Sequence, residues 1–278
     1  MIDVVYAGND LMFDGILLST LSMIRRTKED IHFHILTMDF THKAKHFKPF
    51  RLDQAKFLEE ELRKYNPRTI VEIKDCTELY NLHLDKNANE KPKYSPYCTL
   101  RLLMGDFLDL KGKVIYLDCD TMVCGDIKEL YDIDMTDLEY RASHDYMGRH
   151  WIKSDYINSG ILLMNMDVIR ETGLLKKCCH MVRTKKMYFT DQTALYKCKT
   201  KFEFFPDEYR FNEQRKPKEN TVVKHFCKGI QYLPYFYVYN IKQWNIEKVH
   251  SFLKIHTFDE DYEIYNEIKK RLKENKDA

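Results

Sequence analysis

Between residues 2 and 118, short apolar runs rich in β-branched and aromatic residues take turns with stretches of helical spacing, and that alternation confines the chain to a layered α/β architecture. IDVVYA at 2–7 reads as a buried strand, and Ile16, Leu17, Leu18, Leu21 and Ile24 then recur as one helix face. IHFHIL at 31–36 predicts a second strand. A polar, helix-favouring stretch over 51–65 is closed by Pro67, and TIVEIKD at 69–75 predicts a third strand. Thr99 to Leu108 has helical apolar spacing, and KVIYLD follows as the fourth strand. This order predicts a mostly parallel sheet flanked by helices, with ligands at the carboxyl ends of the strands.

The fourth strand carries the chemistry. In KVIYLDCDTMV at 113–123 an apolar strand runs directly into Asp118 and Asp120, although unpaired charge resists burial. Alternation places both carboxylates on one side if the strand continues, and a cation between them relieves their repulsion. Carboxylates without thiolates select hard ions such as Mn²⁺ or Mg²⁺, which complete their shells with phosphate oxygens, so a nucleoside diphosphate derivative is the expected substrate. Taken as a bare triplet, Asp-x-Asp is also a solvated turn; the buried strand before it favours the metal.

A chain of 278 residues with 44% hydrophobic and 32% charged residues can bury a sizeable core, which predicts one catalytic domain over 1–240 and a polar, helical tail over 241–278. Net charge of +2 without a basic block argues against nucleic acid. No apolar run approaches the roughly 20 residues of a spanning helix, and MIDVVYAGND lacks a signal-peptide pattern, so the expected location is the cytoplasm. The last residues balance acidic and basic groups, leaving only weak peripheral membrane association as an expectation for the tail. Eight cysteines include no C-x-x-C pair and read as reduced apolar residues.

The stretch YLDCDTMV with GDIKELYDID after it resembles the metal motif of the family 8 glycosyltransferases. TLRLLMGDFL at 99–108, YINSGILLMNMDVIR at 156–170, FTDQTAL at 189–195 and, in part, VVKHFCKG at 222–229 match in the same order. The resemblance implies a GT-A fold and retaining transfer of a sugar from a UDP-sugar with Mn²⁺, Mg²⁺ being the alternative ion. The acceptor expected from it is a glycan, of lipopolysaccharide or glycoprotein type. By the same resemblance Asp118, Asp120 and His225 hold the metal, Arg101 reaches the donor sugar and diphosphate, and Asn158 and Asp191 bind sugar hydroxyls. Gln192 is expected beneath the anomeric carbon. Ala7, Asn9 and Asp10 lie where the family contacts uridine. The plainer reading of Arg101 is a helix-surface ion pair with Asp106 or Asp109.

One departure stands out. The family pattern after the histidine is H-x-x-G-x-x-K-P-W, whereas here Gly229 is displaced by one residue and Tyr232 takes the lysine slot. Lys228 is therefore expected to supply the cation for the diphosphate. Two other functions share part of this pattern: a nucleotide-sugar binder without catalysis, and a sugar nucleotidyltransferase. The latter usually needs a Gly-rich phosphate loop after the first strand, and AGNDLMFDG is not one.

Overall fold

The computed structural model describes residues 1–89, 95–105, 107–231 and 236–277, with side chains to residue 274. Nine strands build the body: β1 (Ile2–Ala7), β2 (Ile31–Thr37), β3 (Ile70–Asp75), β4 (Lys113–Leu117), β5 (Thr121–Val123), β6 (Tyr140–His144), β7 (Ile157–Asn165), β8 (Phe202–Phe204) and β9 (Val223–His225). Seven of them form one sheet in the order β3-β2-β1-β4-β7-β6-β8. Strands β1 to β4 run parallel, β7 runs antiparallel to both β4 and β6, and β8 is parallel to β6. This is the mixed, mostly parallel GT-A sheet. A hairpin, β10 (Gly229–Gln231) and β11 (Tyr237–Tyr239), follows β9.

Strand β4 is buried on both faces, as its composition predicts. Ile115 and Leu117 enter one apolar cluster with the helix Phe13–Ile24, while Val114 and Tyr116 enter the other with the helices Leu174–Thr184 and Thr190–Cys198. The stretch predicted as a helix over 99–108 is instead a 3-10 helix at Pro96–Leu103. Its turns close three residues back, as the Cys98 amide does in donating to the Ser95 carbonyl at 3.3 Å.

The tail is helical at Ile246–Ser251 and Asp259–Asp277, and it docks on the body. Tyr262, Tyr265 and Ile268, three residues apart, are buried in the cluster that holds Ile2, Val4 and Leu17. Asp261 is fully buried and paired with Arg25 and Arg26. A stripe this narrow on an otherwise charged helix hardly moves its average hydropathy, which is why the sequence shows only weak one-sidedness. Among the described residues no helix is long and apolar enough to cross a membrane.

Because β7 runs antiparallel, its first residues lie at the same sheet edge as the carboxyl ends of β1 and β4, and His144 at the end of β6 pairs with Ile157 there. That edge collects every side chain of the site.

Candidate active site

Strand β4 ends at Leu117, so Asp118 and Asp120 lie in a turn and not on a continuing strand. They converge for a different reason: β5 leaves the main sheet and pairs antiparallel with β9, which sets Thr121 opposite His225. His225 Nε2 lies 3.1 Å from Asp120 Oδ1 and 3.9 Å from Asp118 Oδ2. The three residues bring ligand atoms within 4.8 Å of one another. Strand β7 supplies the floor, with the Asp118 amide donating to the Gly160 carbonyl at 2.7 Å. A Cβ on Gly160 would stand 2.2 Å from the His225 ring and 2.9 Å from Asp118 Oδ2, so only glycine leaves the cradle open. Two carboxylates and an imidazole around a space held open in this way fit a hard divalent ion.

A lysine that the sequence reading did not select completes this cluster. Lys242 Nζ donates to Asp120 Oδ2 and, at 3.0 Å, to the Phe226 carbonyl. Its neighbour Gln243 is fully buried and donates to the Cys119 carbonyl at 2.7 Å. Gly15 admits Trp244, whose ring would lie 2.8 Å from a Cβ there. Burial works against the Asp120 charge, yet Lys242 and His225 outweigh it and hold the carboxyl well below its usual range. A signal did exist: Lys242-Gln243-Trp244 keeps the K-x-W of the family pattern, displaced by the β10–β11 hairpin. Tyr232, the residue in the lysine slot by counting, lies outside the described residues. Lys228 is described and lines a cavity of about 310 Å³ with Phe226, Cys227, Tyr146 and Arg215.

Arg101 is not a helix-surface residue. It is 2% exposed, and its Nη2 reaches Asp118 Oδ1 at 2.7 Å while Nε reaches Asp191 Oδ2 at 3.0 Å. It also donates to the Ser159 carbonyl, and its guanidinium lies 4.3 Å from the centre of the Tyr116 ring. Burial disfavours its charge, but Asp118, Tyr116 and Asp191 raise its pKa on balance. Asp109 pairs instead with Lys111 at 3.2 Å, and Asp106 is outside the described residues. Asp191 occupies the first turn of the helix Thr190–Cys198, where the helix dipole favours a carboxylate. Burial raises its pKa, with Arg101 opposing.

Gln192 is fixed from both ends. Its Oε1 accepts from the Ser159 amide at 3.1 Å and the Ser159 hydroxyl at 3.2 Å, and its Nε2 donates to Asp145 at 3.5 Å. Asp145, at the end of β6, also accepts from Asn158 Nδ2 at 2.9 Å. Asn158 Oδ1 in turn accepts from the Gly160 amide at 3.0 Å and Asn212 Nδ2 at 3.1 Å. The sequence reading passed over Asp145, although a carboxylate closing a strand at the ligand edge was its available signal.

At the end of β1, the Ala7 carbonyl accepts from the Cys119 thiol at 3.3 Å, tying the first strand to the Asp118–Asp120 turn. Asn9 is buried and donates to the His46 carbonyl at 3.2 Å. Asp10 opens a 3-10 helix, and its Oδ1 is buried without a hydrogen-bond partner among the described residues.

The family model for glycosyl transferase family 8 matches residues 3–230. The chain belongs to glycosyl transferase family 8. Among curated relatives, glycosyltransferase GlyA of Streptococcus pneumoniae is 25% identical over 174 residues, covering 63% of this family 8 chain and 22% of the relative. The lipopolysaccharide 1,3-galactosyltransferase of Salmonella typhimurium is 25% identical over 174 residues, covering 58% and 47%. The family 8 chain thus spans less than half the length of these two relatives. A solved structure of galactosyltransferase LgtC with donor and acceptor sugar analogues shares the fold with a TM-score of 0.66 at 18% identity, covering 96% of both chains. The glycosyltransferase GlyE of Streptococcus pneumoniae, without ligand, gives 0.60 at 17% identity, covering 97% of this chain and 63% of that one.

Proposed function

We propose that this family 8 chain transfers a hexose of the glucose or galactose class from a UDP-sugar to a hydroxyl of a glycan acceptor, with retention and with a divalent metal, Mn²⁺ or Mg²⁺. The observation that carries the reading is the convergence of Asp118, Asp120 and His225 at the sheet edge, within one hydrogen-bonded network that also contains Arg101, Asp191 and Gln192. When bound between Asp118, Asp120 and His225, the metal supplies Lewis-acid stabilisation of diphosphate charge.

One cation of the chain stands ready for the same charge, and a second orders the carboxylates around it. Lys242, which donates to Asp120, is the proposed partner of the diphosphate, a role it takes over from the expected Lys228. Arg101 fixes Asp118 and Asp191 relative to each other, so the metal end and the sugar end of the donor keep one register. Asp191 and Asn158 bind sugar hydroxyls, and Ala7, Asn9 and Asp10 border the uridine.

The transfer breaks the bond between the anomeric carbon and the phosphate oxygen, whose electron pair leaves with UDP. The acceptor oxygen bonds to the same face of that carbon, and its proton passes to the departing phosphate. Gln192 is a neutral amide and a poor nucleophile, which favours this front-face course over a covalent enzyme intermediate. In this proposal Gln192, whose carbonyl oxygen is held by the Ser159 amide and hydroxyl, sits beneath the anomeric carbon and its dipole favours the positive charge that develops there.

The test is UDP release from a panel of UDP-sugars with Mn²⁺, with and without glycan acceptors, followed by the anomeric proton coupling of the product. An α-linked product from an α-linked donor supports the proposal. A β-linked product overturns retention, and UDP binding without any release from the panel overturns catalysis in favour of a binding protein.

A further inference from the structure

A second cluster of ligating side chains lies toward the amino ends of β1 and β2, away from the catalytic edge. In the parallel ladder Asp3 pairs with His32 and His34 pairs with Glu72, and the two-residue period puts all four on one face of the sheet. The two imidazoles stand 3.9 Å apart, centre to centre, sandwiched between the carboxylates. On one side Asp3 Oδ1 lies 2.8 Å from His34 Nε2 and 3.6 Å from His32 Nδ1. On the other, Glu72 Oε2 lies 3.3 Å from His32 Nε2 and 3.4 Å from His34 Nδ1.

The two sides differ in one respect. His34 is 4% exposed and makes a hydrogen bond to Asp3, which assigns its proton to Nε2 and leaves a lone pair on Nδ1. That Nδ1 and His32 Nε2 are both buried without a hydrogen-bond partner among the described residues, and both face Glu72 Oε2. Zinc bonds of about 2.0–2.2 Å in a tetrahedron set ligand atoms about 3.3–3.5 Å apart, and Glu72 Oε2 stands at that spacing from both ring nitrogens. Lys74 occupies the other Glu72 oxygen, Oε1, at 2.6 Å and leaves Oε2 to the histidines.

We infer that His32 Nε2, His34 Nδ1 and Glu72 Oε2 form a second divalent-cation site of zinc class, with Asp3 as the outer carboxylate that fixes the His34 tautomer. His32 and Glu72 are partly exposed, so solvent reaches the fourth position. An ion there ties the edge strand β3 to β2, and its readout is binding and stability, independent of sugar transfer.

The experiment uses the full chain carrying Asp120→Asn, which disables the catalytic cluster. Titration with Co²⁺, followed by its visible absorption, and with Zn²⁺ by calorimetry should show one tetrahedral site per chain and a rise in Tm with zinc. Adding His32→Gln or Glu72→Gln, at partly exposed positions, should weaken zinc binding at least about 100-fold, and Asp3→Asn about 10- to 100-fold. Far-UV circular dichroism in chelator checks that each variant is folded. Absence of a cobalt band, or zinc binding unchanged by His32→Gln, overturns the site and leaves an ion-pair network. A larger loss from Asp3→Asn than from Glu72→Gln overturns the ligand assignment. Binding lost only on His256→Gln overturns it too, placing the ion at His250, His256 and Asp259 in the tail.

Discussion

Lys242 and Asp120, 122 positions apart in the chain, meet at the mouth of the candidate metal cluster, where the ammonium donates to a carboxylate oxygen. In the proposed function this ammonium serves the diphosphate of the donor. Lys242→Ala should therefore weaken UDP binding in the presence of Mn²⁺ by at least about tenfold, the worth of a charge-assisted hydrogen bond of about 1.5–3 kcal/mol. Lys228→Ala should change it less than about threefold, as expected of an exposed lysine. Calorimetry at matched ionic strength compares the two, and the reverse order would return the role to Lys228.

Asp120→Asn swaps a carboxylate for a near-isosteric amide and removes the partner of both His225 and Lys242. The expected result is loss of the metal-dependent part of UDP binding with the fold intact. Measured with and without chelator, wild type should show a large difference and the variant none.

Gly160→Ala puts a methyl group against the His225 ring without adding charge or polarity. We expect Mn²⁺ affinity to fall at least about tenfold, or about 1.4 kcal/mol, because the imidazole must tilt away from Asp118. Manganese titration by electron paramagnetic resonance reads the free ion directly. Unchanged affinity would mean that His225 does not ligate the metal.

Glu61 is buried beneath the tail, with Lys64 and Arg271 each 2.7 Å from its carboxylate. Burial raises its pKa, but the two cations win and depress it below the unfolded value. A depressed carboxyl stabilises the fold above its unfolded pKa and loses that contribution as pH falls through the folded one. Both partners are about half exposed, so Glu61→Gln should cost only about 1 kcal/mol at pH 7, a drop of about 2–4 °C in Tm. The difference from wild type should shrink toward zero below about pH 4, as seen in thermal melts across pH.

Local chemistry was enough to read much of this protein. The strands β1, β2 and β4 announce themselves through β-branched and aromatic runs, because a strand buried on both faces admits little else. Asp118 and Asp120 stand out for the complementary reason, since acids at the end of such a strand need a cation. Asn165 caps the helix Met166–Thr172 as its residue type favours, accepting from the amides of Asp167 and Val168. The ordered motifs around Arg101, Asn158, Asp191 and Gln192 named side chains that the fold gathers at one edge, but the sequence could not say that Arg101 faces inward to hold Asp118 and Asp191 together.

Contacts made across long separations followed a different rule. Lys242 lies beyond an intervening hairpin, and Asp145 looks like any turn residue until β7 reverses direction and brings the ends of β4, β6 and β7 to one edge. Residue spacing records what a chain segment does with its near neighbours, through the periods of helix and strand. Which distant segments share a site depends on strand order and crossover, and these are set by burial summed over the whole core, a quantity that no single stretch of sequence carries.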